Sequence, residues 1–299
     1  MVYNNVKYVF SISNITQKSY IFNRFFVFIY GDFIMRENLA LQLLKDTNID
    51  IHRALFVKLD SNWNFTSSGT VISRLYFVKK GSGFIKAKDQ YVELKEGFVY
   101  LIPPSCKFSC GCDYMEKIFF HFALPTPEKY DLFLNTEKIY KLPYSLEKMD
   151  NIKTLLKTDS FLDILKLKYV ITETVISFCD TFFRSTAEIK KHSQVVQKII
   201  SYIDENLSIK LSVADISKAL FLSESKIRND FKNEIGLPIG KYIDDMVFIK
   251  ARKLLLQPNT TISSVSSELG FCDQFYFSRR FSEKIGRTPT KFKSENKIS

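Results

Sequence analysis

Two groups of side chains near the C-terminus have the residue types that read DNA bases. Arg228 and Asn229 form the first group, and Gln274 and Arg279 form the second, about 50 residues further along the chain. Arginine can donate two hydrogen bonds to O6 and N7 of one guanine, whereas asparagine and glutamine pair in the same manner with adenine. These residue types indicate contact with base edges in the major groove of DNA.

Both groups lie within a sequence repeat that has a period of about 50 residues. In each copy, apolar residues at helical spacing precede a short turn and resume after it, as in two short amphipathic helices. The first copy has Ile216, Leu220, Leu222, Ile227, Phe231, Ile235 and Gly236, and the second has Val265, Leu269, Phe271, Phe277, Phe281, Ile285 and Gly286. This pattern predicts two successive helix-turn-helix motifs, in which the second helix stands clear of the core and enters a major groove.

The buried positions of each second helix decide which of its residues face DNA. Ile227 and Phe231 are predicted to point inward in the first copy, as are Phe277 and Phe281 in the second. The residues left to face DNA are Ser225, Lys226, Arg228, Asn229 and Lys232 in the first copy and Gln274, Phe275, Ser278, Arg279 and Ser282 in the second, with Tyr276 and Arg280 flanking that face. Among them, Phe275 can meet a thymine methyl group.

The two second helices differ in charge. The segment 274–293 has six basic residues and one acidic residue, whereas the segment 224–241 has four basic and three acidic residues. We therefore expect the second motif to attract phosphates more strongly than the first. In particular, Arg280 and Lys284 should contribute more to the salt dependence of DNA binding than Lys226 does.

Several short stretches in the last hundred or so residues match a known family. They are GFCDQFYFSRRF at 270–281, GRTPTKFK at 286–293, Gly236-Leu237-Pro238, Tyr242 and ARKLL at 251–255. These stretches resemble the AraC/XylS family of transcription regulators. The resemblance implies that a helix around Tyr242 to Leu255 joins the two motifs and that the partners are double-stranded promoter DNA and RNA polymerase. It also favours activation of transcription over repression.

Two positions depart from the pattern of that family. Phe221 occupies the turn position equivalent to Gly270, and a residue other than glycine costs about 1 kcal/mol there if the turn needs a left-handed backbone. Val247 stands where the family often has an arginine in the joining helix. Both departures predict that the first motif is less regular than the second.

The composition is that of packed domains with an affinity for polyanions. The chain has 299 residues, 45% hydrophobic and 25% charged, with a net charge of +11 and a pI near 9.2. The length suggests about two domains, and the positive charge favours a partner such as nucleic acid. Five cysteines without a secretory signal fit a reducing cytoplasm. The apolar segment at 21–30 is too short for a membrane span.

Short apolar runs separated by turns predict an antiparallel β-barrel or sandwich between Ile51 and Leu124. The runs are 54–59, 71–78, 83–87, 91–94, 98–102 and 117–124, with breaks at Gly81-Ser82-Gly83, Lys95-Glu96-Gly97 and Pro103-Pro104. The stretches 76–83 and 94–104 look like the cupin-type barrel at the N-terminus of many of these regulators, and a small barrel can hold one small ligand. The expected fold class is α+β: an N-terminal antiparallel, cupin-like β-barrel, a helical linker, and a C-terminal all-α domain with two helix-turn-helix motifs.

We expect four regions along the chain. They are an extension of uncertain origin at 1–34, a cupin-like effector domain at 35–125, a helical linker and candidate dimerisation region at 126–192, and the DNA-binding domain at 193–293. A polar helical pattern begins at Met35. Two interpretations of residues 1–34 therefore stay open: translation starts at Met35, or these residues are an ordinary N-terminal extension. In the linker, one helix face carries Phe161, Ile164, Leu167, Ile171, Val175, Phe178 and Phe182. Either the barrel of the same chain or a helix of a partner subunit covers this face.

The sequence gives little support for catalysis or for a cofactor. It has three histidines, whereas enzymatic cupins bind metal through several. Cys106, Cys110 and Cys112, with His121, could form a thiolate site, but their spacing matches no recognised zinc motif, so buried or incidental cysteines are the favoured interpretation. We therefore expect a cytoplasmic regulator without a catalytic site, metal or cofactor. A small-molecule effector in the barrel would alter the geometry of a homodimer or free the DNA-binding domain.

Two other classes of protein stay open. One is a barrel with residual enzyme activity that is tethered to DNA, although the sequence shows no nucleophile–base pair or phosphate loop. The other is an architectural DNA binder that needs no effector, in which the barrel serves only as a scaffold for dimerisation. Promoter affinity measured with and without small metabolites would distinguish these classes.

Overall fold

Alternating side chains along the strands of the N-terminal half give an antiparallel sheet two apolar faces. The structure, a computed structural model, describes residues 48–126, 129–134, 136, 138–185 and 192–295. In strand β3 (Ser73–Ala87), Leu75 and Phe77 pack into one apolar cluster, whereas Tyr76 and Val78 pack into another. Side chains that alternate in this way lie on opposite faces of a strand that is buried on both sides. The extension at 1–34 and the alternative start at Met35 lie outside the described residues.

The other strands complete the sheet. They are β1 (Asp50–Asp60), β2 (Phe65–Ser67), β4 (Gln90–Lys95), β5 (Phe98–Ile102), β6 (Phe108–Ala123) and β7 (Tyr140–Pro143). The strand order is β1-β6-β3-β5-β7, with β2 paired to β6 and β4 paired to β3, and every pairing is antiparallel. The α+β fold class is confirmed. In the described part of the chain the sheet ends at β1 and β7 and does not close into the full barrel that the sequence predicts.

One predicted break between strands is wrong. The sequence places a turn at Gly81-Ser82-Gly83, but β3 continues through these residues and pairs with β6 on both sides of them. The pairing shifts register at two points within 78–84, and Gly81 has a φ of 76°. Because glycine adopts a positive φ without steric cost, the segment forms bulges in one long strand instead of a turn between two short ones.

Two helices pack on one face of the sheet, α1 (Leu146–Leu155) and α2 (Phe161–Ser185). Four residues of the predicted apolar stripe on α2 are buried in the cluster that holds Phe120 and Phe122 of β6, namely Ile171, Val175, Phe178 and Phe182. The start of the stripe differs, because Phe161 and Ile164 are 74% and 45% exposed. The sheet of the same chain therefore covers only the C-terminal half of the stripe.

The C-terminal region consists of short helices whose ends are fixed by local hydrogen bonds. They are α3 (Gln194–Glu205), α4 (Val213–Leu220), α5 (Glu224–Ile235), α6 (Ile239–Leu255), α7 (Ile262–Glu268), α8 (Gln274–Ile285) and α9 (Pro289–Glu295). Ser212 and Asp215 form a capping box at the start of α4, and Thr261 and Ser264 form another at the start of α7. Such boxes satisfy backbone N–H groups that a helix leaves without partners, so they set where each motif begins.

The sheet packs directly against this helical region, and both belong to one unit of residues 49–299. Three apolar residues from the sheet side are buried in the helical core, namely Val71, Tyr130 and Leu134. Ion pairs at the same boundary join Lys129 to Asp204 at 2.6 Å and Lys253 to Asp50 at 2.8 Å. A change in the sheet can therefore reach the helices through direct contacts.

Candidate nucleic-acid interface

The first helix-turn-helix consists of α4 and α5, which are joined at Phe221. Phe221 has a left-handed backbone, with φ 54° and ψ 40°, and its side chain is 93% exposed. After it, Ser223 caps α5 by accepting a hydrogen bond from the backbone N–H of Lys226. The first turn therefore has the left-handed backbone that the position of Gly270 in the second turn suggested. Because the Phe221 side chain is exposed, its packing does not offset the steric cost of this conformation.

The second helix-turn-helix consists of α7 and α8, which are joined at Gly270. Gly270 has a φ of 79°, and a Cβ atom there would collide with Oγ of Ser208 in the loop before α4. Glycine is thus required both by the dihedral angle and by the close approach of another segment. Asp273 then caps α8, because its carboxylate accepts hydrogen bonds from the backbone N–H groups of Phe275 and Tyr276 at 2.7 and 2.8 Å.

Helices α5 and α8 present most of the predicted DNA-facing side chains to solvent. The exposed ones are Ser225, Lys226, Arg228, Asn229 and Lys232 on α5 and Gln274, Phe275 and Arg279 on α8. The half-buried ones are Tyr276, Ser278, Arg280 and Ser282. The four residues predicted to point inward are fully buried, namely Ile227, Phe231, Phe277 and Phe281. The structure thus places the predicted set on the outer side of each helix, while their contact with DNA stays a prediction.

Known proteins share this arrangement. A family model described as a helix-turn-helix domain matches residues 216–295, which include both motifs. The chain is 23% identical over 240 residues to the HTH-type transcriptional activator RhaR of Mannheimia succiniciproducens, covering 74% of this chain and 84% of that protein. The Msm operon regulatory protein of Streptococcus mutans is also 23% identical, over 235 residues and the same shares of each chain. The chain is a DNA-binding transcription regulator that is similar, in its helix-turn-helix region, to regulators of the AraC/XylS type.

The fold of this regulator is also similar to that of a solved protein. The structure of wild-type ToxT from Vibrio cholerae bound to an unsaturated fatty acid has a TM-score of 0.53 with this chain. The match covers 83% of this chain and 94% of that one at 14% sequence identity. Because 83% of the chain cannot come from the helical region alone, the similarity in fold extends to the sheet.

Two of the cations that are predicted to face DNA are paired with acids on their own helix. On α5, Nη2 of Arg228 lies 2.8 Å from Oε2 of Glu224, and Nζ of Lys226 lies 2.7 Å from Oδ2 of Asp230. The side chains of Arg228 and Lys226 are 58% and 50% exposed. Exposed pairs of this kind contribute only about 0.5 kcal/mol, so a phosphate or a guanine can replace the carboxylate.

Two acids on α6 hold the second recognition helix through ion pairs, and the sequence analysis did not identify them. Oδ1 of Asp244 lies 2.6 Å from Nη2 of Arg280, and Oδ2 of Asp244 lies 2.6 Å from Nζ of Lys284. Oδ1 of Asp245, which is 5% exposed, also lies 2.6 Å from Nζ of Lys284. The sequence does contain a signal, namely two adjacent acids, Asp244 and Asp245, and two basic residues spaced by four, Arg280 and Lys284. Local sequence patterns do not show that two segments some 40 residues apart are in contact.

These pairs fix the second recognition helix against the joining helix. A hydrogen bond from Arg280 to the Tyr276 hydroxyl raises the pKa of Arg280, and Asp244 adds to the effect. Burial lowers the pKa of Lys284, but hydrogen bonds to Asp244 and Asp245 outweigh it and raise the pKa overall. Both cations are charged and already partnered, which favours a positioning role over the phosphate contacts that their charge suggested.

Side chains occupy the inner face of the sheet, where the sequence led us to expect an effector. Tyr76, Tyr100, Met115 and Lys117 are buried there. Nζ of Lys117 lies 3.5 Å from the centre of the Tyr76 ring and 3.9 Å from that of Trp63. Burial lowers the pKa of Lys117 to about 7. This part of the sheet is therefore a packed core, and the Lys117 amine in it lies against aromatic rings and is only partly protonated near neutral pH.

Burial disfavours the thiolate form of two cysteines of the sheet, Cys110 and Cys112. Burial raises the pKa of Cys110 to about 11 and also raises the pKa of Cys112. A thiol must ionise to bind metal or to act as a nucleophile. Over the ranges that the structure describes, no three His, Cys, Asp or Glu side chains are grouped to hold a metal ion.

Over the same ranges, no helix has the length and apolar character needed to cross a membrane.

Proposed function

We propose that this regulator binds promoter DNA in a sequence-specific manner and activates transcription under the control of a small-molecule effector. The observation that carries the proposal is the pair of exposed recognition helices, α5 and α8, joined by the 17-residue helix α6. At a rise of 1.5 Å per residue, α6 is about 25 Å long. Such a spacer supports binding of the two helices in successive major grooves, about 34 Å apart on one face of DNA.

The base-reading residues in this proposal are Arg228, Asn229, Gln274 and Arg279. Their exposure and their position in the N-terminal half of each recognition helix support this role, because the N-terminal residues of such helices contact base edges. One subunit then reads two different half-sites, so the operator need not be palindromic. A further contact is proposed between Phe275, which is 78% exposed, and a thymine methyl group.

Control by an effector is supported by the direct packing of the sheet against the DNA-binding helices. An effector that binds one arrangement of the sheet and helices better than another would shift the population of binding-competent molecules. The solved structure of similar fold, ToxT, holds an unsaturated fatty acid. A small organic molecule is therefore the proposed effector of this chain, which acts through binding and not through catalysis.

The remaining partners in the proposal are RNA polymerase and a second copy of the chain. The exposed start of α2 supports self-association, since Phe161, Leu162 and Tyr169 are 74%, 60% and 67% exposed. The cytoplasm is the proposed compartment, where promoter DNA is found and where the thiol of Cys110 stays reduced.

Genome-wide footprinting of the tagged regulator tests the proposal. We expect a shared operator motif with two half-sites about one helical turn apart. Arg228→Ala should relax base preference in one half-site and Arg279→Ala in the other, each by about 1–3 kcal/mol of discrimination. Lys157→Ala, which removes an exposed cation between α1 and α2, is the matched control and should leave the footprint unchanged. A diffuse footprint without a common motif would exclude sequence-specific regulation.

A further inference from the structure

A cavity of about 290 Å³ lies between the sheet and the DNA-binding helices. Its walls come from β1, β3 and β6 on one side and from α6, α8 and the segment that follows α8 on the other. The cationic and imidazole side chains of the lining are His52, Arg53, Arg74, His121, Arg252 and Arg287. Apolar side chains such as Ile72, Phe248 and Ile249 form the rest of the wall. The cavity thus combines a basic side with an apolar side.

Within the part of the chain that the structure describes, several polar atoms of this lining are buried and have no hydrogen-bond partner. Arg74 is 7% exposed, its Nη1 has no partner there, and its Nη2 lies 3.5 Å from Oγ of Ser67. Among the same residues, Nε of Arg252 and Nε2 of His52 also lack a partner. Arg252 donates a long hydrogen bond, 3.4 Å, from Nη1 to the backbone carbonyl of His52. Guanidinium groups buried in this manner are costly unless an anion accompanies them.

No carboxylate of the described residues forms an ion pair with Arg53, Arg74 or Arg252. Arg287 is paired with Glu295, which follows it on α9. Asp245 is the acid in the lining, and it is held by Lys284 at 2.6 Å and lies 3.7 Å from Lys241. Within the described residues, therefore, no acid neutralises the positive charge of the three arginines in the cavity wall.

The pKa values of the lining agree with an excess of positive charge. Burial and the nearby Arg53 lower the pKa of Arg252 to about 10. Burial, followed by Arg252, lowers the pKa of His52 to about 4, and burial with Arg74 lowers the pKa of His121 well below its usual range. Each shift has a direction that a bound anion would reverse.

We propose that this cavity binds a small amphipathic oxyanion, a carboxylate or a phosphate monoester on an apolar body, and that this ligand is the effector. Guanidinium groups recognise both head groups through paired N–H···O hydrogen bonds, and the apolar wall accommodates the body of the ligand. The second part of the inference rests on the proposed function, whereas the binding site itself does not.

The position of the cavity explains how such a ligand acts on DNA binding. Arg53 and Arg74 belong to strands of the sheet, whereas Arg252 belongs to α6. An oxyanion held by all three joins the sheet to the joining helix. The same helix holds α8 through Asp244 and Asp245, so a ligand that changes the position of α6 also changes the position of the second recognition helix.

Binding is tested on the full chain without DNA, by calorimetry and thermal unfolding. The probes are hexanoate, hexyl phosphate, inorganic phosphate and hexan-1-ol. We expect saturable binding and a raised Tm with hexanoate or hexyl phosphate, whichever head group fits, and weaker or no binding with inorganic phosphate and the uncharged alcohol. Comparison of the two hexyl anions identifies the head group.

The variants Arg74→Met and Arg252→Met should each weaken binding about tenfold or more. Both should leave the free protein at least as stable as the parent, since each removes a buried charge without a partner. Arg252→Lys should lose less affinity than Arg252→Met, and Arg228→Met, a recognition-helix control, should bind the anion as the parent does. The proposed site is excluded by equal binding of hexan-1-ol, or by binding that both Met variants retain.

The role as effector is tested separately, by operator affinity with and without the anion that binds. We expect the anion to change the affinity about fivefold or more in the parent and to have no effect in Arg252→Met. Saturable anion binding that leaves operator affinity unchanged excludes the effector role. If the protein binds the anion but recognises no operator, the proposed function fails while the site stands.

Discussion

The side-chain hydroxyl of Ser105 donates a 2.6 Å hydrogen bond to the backbone carbonyl oxygen of Ile235. Ser105 lies in the loop before strand β6, and Ile235 is the last residue of the first recognition helix. The same loop contacts Gly236, where a Cβ atom would lie 3.1 Å from Cβ of Ser105. The sheet therefore contacts a recognition helix at its C-terminal end, where carbonyl groups lack helical partners.

Ser105→Ala should lower the free energy of unfolding by about 1 kcal/mol, because the Ile235 carbonyl then loses a short hydrogen bond in a partly buried position. Urea unfolding of the full chain measures the change. Ser61→Ala, at an exposed turn position, is the control and should have no measurable effect. Equal stability of the two variants would show that water replaces the Ser105 hydroxyl without loss.

Phe221→Gly should raise the free energy of unfolding by up to about 1 kcal/mol. Glycine removes the left-handed strain at this position, and the greater freedom of glycine in the unfolded chain offsets part of the gain. Phe275 is also an exposed phenylalanine, but it lies within α8, so Phe275→Gly should lower stability by about 1 kcal/mol. Denaturant titrations of both variants test the pair, and a loss of stability in Phe221→Gly would show that its ring has a partner.

Arg280→Ala and Arg279→Ala should affect DNA binding in different ways. Arg280 is held by Asp244, so its loss should lower stability by about 1–2 kcal/mol and leave the salt dependence of binding nearly unchanged. Arg279 is exposed and is proposed to read a base, so its loss should weaken operator binding by about 1–3 kcal/mol without a comparable loss of stability. Fluorescence anisotropy at several salt concentrations measures the affinity and the salt slope of both variants.

Asp244→Asn is the matched control for this interpretation. It removes the carboxylate charge that Arg280 faces and keeps Arg280 charged, while Asp245 still holds Lys284, so it should reproduce most of the loss of stability that Arg280→Ala causes. If Arg280→Ala reduces the salt slope by a full unit, Arg280 contacts phosphate and the expectation drawn from its charge alone is correct.

His52 should contribute stability that rises with pH between about 4 and 6.5. The folded chain keeps His52 neutral down to about pH 4 because of its burial and of Arg252 and Lys253, which outweigh Asp50, whereas the unfolded chain protonates it near 6.5. In this window the unfolded state binds more protons at His52, so this contribution to the free energy of unfolding increases with pH, by roughly 3 kcal/mol in all. Asp131 contributes in the opposite direction, because burial raises its pKa to about 7 and the folded chain then binds the additional proton.

Urea unfolding at a series of pH values measures this slope. His52→Asn should flatten it, and the part that stays should come from other groups, including His121, whose pKa is lowered in the same direction. A saturating oxyanion in the cavity should also flatten it, because a nearby negative charge raises the pKa of His52. An unchanged slope in His52→Asn would mean that this imidazole is charged in the folded chain.

The sequence was sufficient to predict features that depend on neighbouring residues. The helices around Phe221 and Gly270 follow from apolar spacing and from caps such as Ser223 and Asp273, which act within one helical turn. The break predicted at Gly81-Ser82-Gly83 was wrong because glycine fits a bulge as well as a turn. Local pattern alone does not distinguish the two.

The sequence was insufficient wherever distant segments meet. The pairing of Asp244 with Arg280 depends on how α6 and α8 pack, and nothing in either helix specifies the other. Arg53, Arg74 and Arg252 are about 20 and 180 residues apart in sequence, and each alone has the pattern of an ordinary surface arginine. Only the packing of the sheet on α6 brings them to one cavity.

Helix α6 carries Asp245 and Arg252 seven residues apart, which is about two helical turns, so both side chains lie along the same face. A continuous helix moves largely as a rigid body, so a rotation of α6 caused by a ligand at Arg252 also moves Asp245 and, through it, the second recognition helix. The distance and angle between the two half-sites on DNA should then depend on the state of the cavity. Promoters whose half-sites are separated by spacers that differ by one base pair would then be bound in different states of the regulator, some with the ligand and some without it. One chain would in this way regulate two sets of genes.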